Sequence, residues 1–143
     1  MITFQSQDIK FNLKGKLKVK AWLKEIAKKE DFKIQDLNYI FMSDEGLHKI
    51  NLEYLNHDTY TDIITFDNSE EEGIIESDIF ISIDRVKENA ESFKTTFDNE
   101  LRRVLAHGLL HLCGYKDKSD EDAKLMREME EASLRLWNMD FTD

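Results

Sequence analysis

Apolar residues along the chain recur with two different spacings, which predict a mixture of strands and helices. Compact or alternating apolar runs predict five strands, over residues 2–5, 9–13, 37–42, 61–66 and 74–83. Apolar residues three or four positions apart predict five helices, over residues 16–30, 43–54, 84–93, 97–114 and from 119 onwards. A polar segment that ends in glycine, over 67–73, indicates that the last two strands form an antiparallel hairpin.

Short strands interspersed with helices, and ending in three consecutive helices, are typical of an α+β fold. The length of 143 residues suits a single domain, and no internal repeat or Gly/Ser-rich linker divides the chain. We therefore expect one α+β domain over residues 1–143, in which a small mixed sheet with a β-hairpin packs against about five helices. For the last helix, the spacing predicts a buried stripe of Leu125, Met129, Ala132 and Leu136, with Glu128, Glu130 and Glu131 on its solvated face.

The composition, with 41% hydrophobic and 35% charged residues, describes a globular chain and not a disordered one. The formal net charge of −10 argues against simple nonspecific binding to nucleic acid, because the field of the whole molecule repels phosphate. The charge is unevenly distributed, since residues 10–29 contain eight lysines and one acid and so carry +7. This lysine-rich segment has two interpretations, a solvated face of an amphipathic helix or a local contact with RNA.

Three further features bear on where the chain works. No window approaches the roughly 18 consecutive apolar residues that a membrane helix needs, and the first residues lack the basic and apolar regions of a signal peptide. The single cysteine, Cys113, excludes an internal disulfide and agrees with a reducing compartment. We therefore expect a cytoplasmic protein with no membrane partner and no disulfide partner.

The segment HGLLHLCGYKD, over residues 107–117, contains the most distinctive chemistry of the chain. His107 and His111 lie four residues apart on a predicted helix of the C-terminal half, about 40° apart around its axis, so both imidazoles can face one metal ion. Gly114 lets the chain turn, and Asp117 then supplies a carboxylate within a short reach. Three protein ligands plus one open position is the arrangement of catalytic zinc sites. Spacing alone equally allows two histidines that bind no metal.

Three sequence blocks resemble the signatures of one protein family. The segment HGLLHLCGYKD is similar to the pattern His-Gly-x-Leu-His-Leu-x-Gly-Tyr-Asp-His. The segment NLEYLNHDTYTDIITF, over 51–66, is similar to Leu-Asn-x-x-Tyr-Arg-x-x-Asp-x-Pro-Thr-Asp-Val-Leu-Ser-Phe, and SDIFIS, over 77–82, is similar to Gly-Asp-Ile-x-Ile-Ser. Because the blocks occur in the family's order, the chain is identified by resemblance as a member of the YbeY family of bacterial metal-dependent endoribonucleases.

This resemblance implies both a function and a site. The implied function is that of a single-strand-specific endoribonuclease in ribosomal RNA maturation, including 16S rRNA 3′-end processing, and in ribosome quality control. The implied partners are a ribosomal RNA precursor and the small ribosomal subunit. His107 and His111 would bind one Zn²⁺ ion, or another divalent metal, and Asp117 occupies the place of the family's third histidine. These three residues would act in catalysis through a metal-bound water.

A second departure from the family pattern is Leu55, which stands where the family has an arginine that contacts RNA phosphate or takes part in catalysis. Two residues are candidates to contact phosphate in its place, His57 and Arg103. Asp62 and Glu100 are candidates to orient a ligand histidine through its other ring nitrogen. Asp62 can equally be a strand-end turn residue, and Glu100 a solvated acid in the first turn of its helix.

Two alternative functions compete with the nuclease. The net charge and Leu55 favour a non-catalytic ribosome-assembly or RNA-binding factor in which the metal is structural. A peptide hydrolase is disfavoured, because Gly108 stands where zinc proteases of the His-Glu-x-x-His kind carry the glutamate that serves as general base.

Overall fold

The strands form one four-stranded mixed sheet, and the computed structural model describes residues 1–141 of the chain. The strands are β1 (Ile2–Ser6), β2 (Lys33–Met42), β3 (Ile63–Asp67) and β4 (Ile74–Ser82), in the order β1-β2-β4-β3 across the sheet. β2 pairs in parallel with both β1 and β4, whereas β3 pairs antiparallel with β4. The predicted mixed sheet and β-hairpin are therefore confirmed, although β2 begins earlier than predicted.

Within the described residues, five α-helices connect and cover the strands, namely α1 (Lys16–Lys29), α2 (Asp44–Leu55), α3 (Ile83–Ser92), α4 (Phe97–Leu112) and α5 (Asp120–Leu136), which continues into a π-helical turn at Trp137–Phe141. Four of them begin after a Ser or Thr whose hydroxyl accepts a hydrogen bond from the backbone N–H three residues later, the usual N-cap. The predicted α+β fold with about five helices is confirmed. None of the helices within residues 1–141 is long and apolar enough to cross a membrane.

The two faces of the sheet bury cores of unequal size. The larger core contains apolar side chains of α1, α4 and α5 together with sheet residues such as Tyr39 and Ile79. The smaller core lies against α2 and contains Ile40, Met42, Leu47 and Ile64. The buried Tyr39 hydroxyl donates a hydrogen bond to the backbone carbonyl of Leu105 at 2.9 Å. Packing and this hydrogen bond together hold α4 against the sheet.

The predicted strand over 9–13 is wrong. The chain leaves β1 at Asp8, whose φ of 53° lies outside the strand region, and this segment forms no strand. The alternating side chains of Ile9, Phe11 and Leu13 pack against the larger core without pairing to a neighbouring strand. The alternation therefore indicated burial on one side of an irregular segment, and not strand pairing.

The buried stripe of α5 is offset by one position from the predicted stripe. Leu125, which was expected to be buried, is 45% exposed. The buried residues of α5 and the following turn are Met126, Glu130, Ser133 and Trp137, so the expectation that Glu130 lies on the solvated face is wrong. A buried carboxylate requires a charged or hydrogen-bonding partner, and α4 supplies it.

Candidate metal centre

One face of α4 carries four polar side chains at helical spacing, Glu100, Arg103, His107 and His111. Glu100 is buried, Arg103 and His107 are half-buried, and His111 is exposed. The row therefore runs from the core towards solvent. The two histidines border the core, as their angular position on the predicted helix indicated.

Gly108, the residue that follows the first histidine of the motif, faces the sheet. A Cβ atom added at Gly108 would lie 2.9 Å from Cδ1 of Ile63 and 3.0 Å from Cδ1 of Ile79. A longer side chain at this position would meet the β-hairpin, which leaves no room for the glutamate of a zinc protease. The close approach instead brings α4, and with it both histidines, directly onto the hairpin.

His107, His111 and Asp117 line one open cavity of about 500 Å³. Its remaining walls come from the end of α2, the loop that follows it, the start of β3, and the residue after Asp117. Among these lining residues are three further positions that the sequence predicted or singled out, Leu55, His57 and Asp62. Residues from two stretches of the chain, 51–65 and 107–118, thus form this cavity.

The turn after α4 returns the chain to this cavity. Gly114 has a φ of 104°, which glycine adopts without strain, and Nε2 of His107 then lies 3.4 Å from Oδ2 of Asp117. Two ligands of a tetrahedral zinc ion, each at about 2.0–2.2 Å, stand about 3.3–3.6 Å apart. The rings of His107 and His111 are 11° from parallel, with centroids 6.1 Å apart. Within residues 1–141, no three His, Cys, Asp or Glu side chains stand close enough to hold an ion as they are.

The second ring nitrogen of each histidine is held by a hydrogen bond. Nδ1 of His107 lies 2.6 Å from Oε2 of Glu130, and Nδ1 of His111 donates to the backbone carbonyl of Tyr115 at 2.8 Å. Because a carbonyl oxygen only accepts, the proton of neutral His111 sits on Nδ1 and its lone pair on Nε2. Metal-binding histidines are commonly oriented in this way by a carboxylate or carbonyl at the other nitrogen.

A chain of buried ion pairs extends from His107 into the core. Arg103 donates from Nε and Nη2 to the two carboxylate oxygens of Glu100, at 2.9 and 2.6 Å, and from Nη1 to Glu130 at 2.9 Å. Glu100 and Glu130 are only 1% and 5% exposed, so the single positive charge of this guanidinium is shared between two buried carboxylates. Asp62 is more distant, with 3.9 Å between its Oδ2 and Nη2 of Arg103.

These ion pairs shift the pKa values of His107 and Glu130, and for both groups the charged form is favoured. Burial alone would lower the pKa of His107, but the hydrogen bond and charge of Glu130, together with Asp117 and Asp62, raise it. Burial alone would raise the pKa of Glu130, but His107 and Arg103 lower it. In the neutral form of His107, an ionised Glu130 accepts the Nδ1 proton, so that Nε2 keeps the lone pair that can bind a metal.

The loop that holds His111 is anchored to the end of α1. The Tyr115 hydroxyl donates to Glu30, the residue after α1, at 2.6 Å, and this hydrogen bond raises the pKa of Tyr115 to about 12. Burial raises the pKa of the Cys113 thiol to about 12, and Cys113 does not line the cavity of the two histidines. The donor set that fits zinc is therefore two imidazoles and one carboxylate, and the 41% exposed Asp117 side chain is free to adjust.

The other residues predicted from the sequence have different environments. Glu100 is buried, so its interpretation as a solvated first-turn acid is wrong, and its partner is Arg103 and not a histidine. Arg103 is engaged by two carboxylates, and its contact with RNA stays a prediction. Orientation of a histidine by Asp62 stays a prediction too, as does phosphate contact by His57, although both line the cavity.

Glu130 is the functional residue that the pattern along the chain did not indicate. One feature of the sequence did indicate that Glu130 is buried: it lies on the same helical face as Met126, Ser133 and Trp137. An acid inside a stripe that includes a tryptophan predicts a buried carboxylate with a charged partner. The other anchor, the Tyr115 carbonyl, is a backbone group that carries no residue-type signal.

Comparison with known proteins places this geometry in a family. The family model described as Endoribonuclease YbeY matches residues 1–138. A protein from Cytophaga hutchinsonii named Endoribonuclease YbeY is 56% identical over 135 residues, which are 94% of each chain. One of the same name from Flavobacterium johnsoniae is 48% identical over 140 residues, covering 98% of this chain and 99% of the relative.

A solved structure agrees with the sequence comparison. The solution structure of a target protein from Thermotoga maritima is 31% identical to this chain and superposes with a TM-score of 0.68, covering 96% of this chain and 90% of the other. The chain belongs to the YbeY endoribonuclease family.

Proposed function

We propose that this chain is a zinc-dependent endoribonuclease that cleaves single-stranded precursors of ribosomal RNA. Membership of an endoribonuclease family supports cleavage of RNA. The observation that carries the metal dependence is the anchoring of both imidazoles at Nδ1, by Glu130 and by the Tyr115 carbonyl. This anchoring leaves Nε2 of each ring as the ligand atom, with the Asp117 carboxylate beside His107.

The charge of the cavity also supports a bound cation. Two acids, Asp62 and Asp117, line it, and Lys118 is the only lysine or arginine among the described lining residues. A phosphodiester would be repelled by the two carboxylates. A divalent ion at His107, His111 and Asp117 would reverse the sign of the charge at the place where the phosphate must approach.

The residues around the ion have separable roles. Bound zinc supplies a Lewis acid and lowers the pKa of water to about 7. Glu130 holds the His107 proton on Nδ1 and fixes the orientation of the ring. Arg103 keeps Glu130 ionised and in place, which makes it a positioning residue in this proposal. His57 and Lys118, in the cavity wall, are the proposed contacts of the RNA phosphate.

The proposed partners follow from the family resemblance. They are a ribosomal RNA precursor and the small ribosomal subunit, met in the cytoplasm during 16S rRNA 3′-end processing and ribosome quality control. Because the chain carries a net charge of −10, RNA would have to be held by local positive surfaces and not by the field of the whole molecule.

One observation favours a second function, an RNA-binding assembly factor whose metal is structural. Leu55 lines the cavity where the family pattern has an arginine. An apolar side chain there cannot form the paired hydrogen bonds by which arginine stabilises a developing phosphate charge. The two functions differ in whether the ion is needed for turnover or for stability.

The deciding experiment is RNA cleavage by chelator-stripped protein, with and without added zinc, on a single-stranded precursor of the 16S 3′ end. We expect cleavage only with zinc, and background cleavage by the His111→Ala variant. His48→Ala is the matched control, because it removes an imidazole that does not line the cavity. Bound zinc should also raise stability by about 2.7 kcal/mol at a concentration 100 times its Kd.

The possible results separate the two functions. Zinc that raises the melting temperature while the RNA remains intact would support the structural role. Equal cleavage by wild type and His111→Ala would sink the proposed catalytic site and point to a contaminating nuclease. Cleavage of double-stranded and single-stranded RNA at equal rates would contradict the proposed strand preference.

A further inference from the structure

A second cavity, of about 570 Å³, lies at the opposite end of α4 from the histidines. It is enclosed by the loop over 11–15, the start of α1, the first turns of α4 and the π-helical turn, and it shares no lining residue with the catalytic cavity. We call it the α1–α4 cavity. Four aromatic rings line it, those of Phe11, Phe97, Trp137 and Phe141.

Basic side chains meet these rings in the α1–α4 cavity. Among the described residues, Lys14, Lys18 and Arg102 line it, together with one acid, Asp98. The guanidinium of Arg102 lies 4.7 Å from the ring centroid of Trp137, and its Nε has no hydrogen-bond partner within residues 1–141. Among the described lining residues, cations outnumber carboxylates in this cavity, whereas two carboxylates outnumber one lysine in the cavity that the histidines line.

The surrounding surface extends the same positive charge. Residues 10–29, which include the whole of α1, carry +7, while the complete chain carries −10. A phosphate polymer approaching this molecule therefore meets its strongest attraction at α1 and the α1–α4 cavity. Long-range attraction cannot come from the catalytic cavity, because the two carboxylates there oppose it.

We propose that the α1–α4 cavity is a second RNA-binding site, which holds a single-stranded segment of the substrate away from the scissile bond. This inference rests on the proposed function for the identity of the substrate, and on the α1–α4 cavity alone for the binding. Lys14 and Arg102 contact phosphate, and a base stacks against the aromatic wall. Aromatic rings beside a positive groove are how proteins bind single strands without reading their sequence.

The charge contribution is tested on a variant that cannot cleave. Binding of fluorescent oligouridylate to metal-free His111→Ala protein is measured by anisotropy over a series of salt concentrations. Adding Lys14→Gln should weaken binding about fivefold at about 0.1 M salt and reduce the slope of log K against log salt by about 0.7. Lys87→Gln makes the same charge change on the exposed face of α3, and it should change neither quantity.

The stacking contribution needs a variant of its own. Phe141→Leu removes a ring at the end of the described chain and should weaken oligouridylate binding by about fivefold or more. Phe93→Leu is the matched control, because Phe93 is exposed and does not line the α1–α4 cavity. A melting temperature close to that of the parent protein verifies that each variant is folded.

The outcomes distinguish this inference from the proposed function. Equal weakening by Lys14→Gln and Lys87→Gln, or an unchanged salt slope, overturns the second site even if zinc-dependent cleavage is observed. Tighter binding of a double-stranded RNA of the same length also overturns it, since paired bases cannot stack on the aromatic wall. Binding with both predicted losses supports the site, even if the RNA is never cleaved.

Discussion

Two faces of α4 place neighbouring arginines in opposite environments. Arg103, on the face that bears the histidines, donates three hydrogen bonds to two buried carboxylates. Arg102, the residue before it, lies over the ring of Trp137 beside an open cavity, and its Nε has no hydrogen-bond partner within residues 1–141. Carboxylates of the protein engage most donors of Arg103, whereas Arg102 is held mainly by its contact with the ring of Trp137.

The two arginines therefore have different capacities: the charge of Arg103 positions other side chains of the protein, whereas the charge of Arg102 can contact a ligand. The donors of Arg103 are largely engaged, so any movement would leave buried carboxylates uncompensated, and the cost of that fixes Glu130 and His107. The guanidinium of Arg102 makes a cation–π contact that still allows a further partner. Adjacent residues of one type therefore serve different purposes, according to what the opposing elements offer them.

The largest test of this comparison is the removal of each arginine. Arg103→Met leaves Glu100 and Glu130 buried without their cation, and it should reduce the free energy of unfolding by about 3–5 kcal/mol. Arg102→Met loses one cation–π contact and should cost no more than about 1 kcal/mol. Urea unfolding measures both values. Similar losses for the two variants would refute the distinction between them.

A smaller effect is expected from the carboxylate that joins Arg103 to the ligand histidine. Glu130→Gln removes the charge that orients His107 while it keeps the size of the side chain, and it should weaken zinc binding by about 10- to 100-fold. Glu131→Gln makes the same change at the next residue, which is exposed, and should leave zinc affinity unaltered. Competition with a zinc-binding dye measures both affinities. Equal affinities for the two variants would mean that Glu130 does not support the ligand.

Much of the fold could be predicted because its signals are local. The β-hairpin followed from two β-rich runs around a polar loop, and the predicted start of the last helix at 119 coincides with the Ser119 N-cap. The segment over 9–13 misled because alternation reports only which side is buried. Asp8, with its positive φ, takes the chain out of the strand, and no residue pattern specified that turn.

The candidate site was predictable only where one segment carries it. His107, His111 and Asp117 lie within eleven residues of each other along the chain, so spacing brought them together. Glu130 and Arg103 are 27 residues apart, and their pairing depends on how α5 rotates against α4. The predicted buried stripe was displaced by one residue along α5. Leu125 and Met126 are equally apolar, and only the packing of α5 shows which of them is buried. The error moved a buried carboxylate to the surface.

The smallest predicted effect concerns how closely the histidine end of α4 lies on the sheet. In a free helix, replacing glycine by alanine stabilises by about 1 kcal/mol. At Gly108 the new methyl group would meet the δ-methyl groups of Ile63 and Ile79, and such overpacking costs about 1–3 kcal/mol. Because this cost exceeds the gain in helix propensity, Gly108→Ala should reduce the free energy of unfolding by up to about 2 kcal/mol. Ile63→Val removes one of the opposing methyl groups, and the double variant should lose less stability than the two single variants added together. A gain in stability for Gly108→Ala alone would mean that this end of α4 does not pack tightly on the sheet, and that the two histidines are held only by their hydrogen bonds to Glu130 and Tyr115.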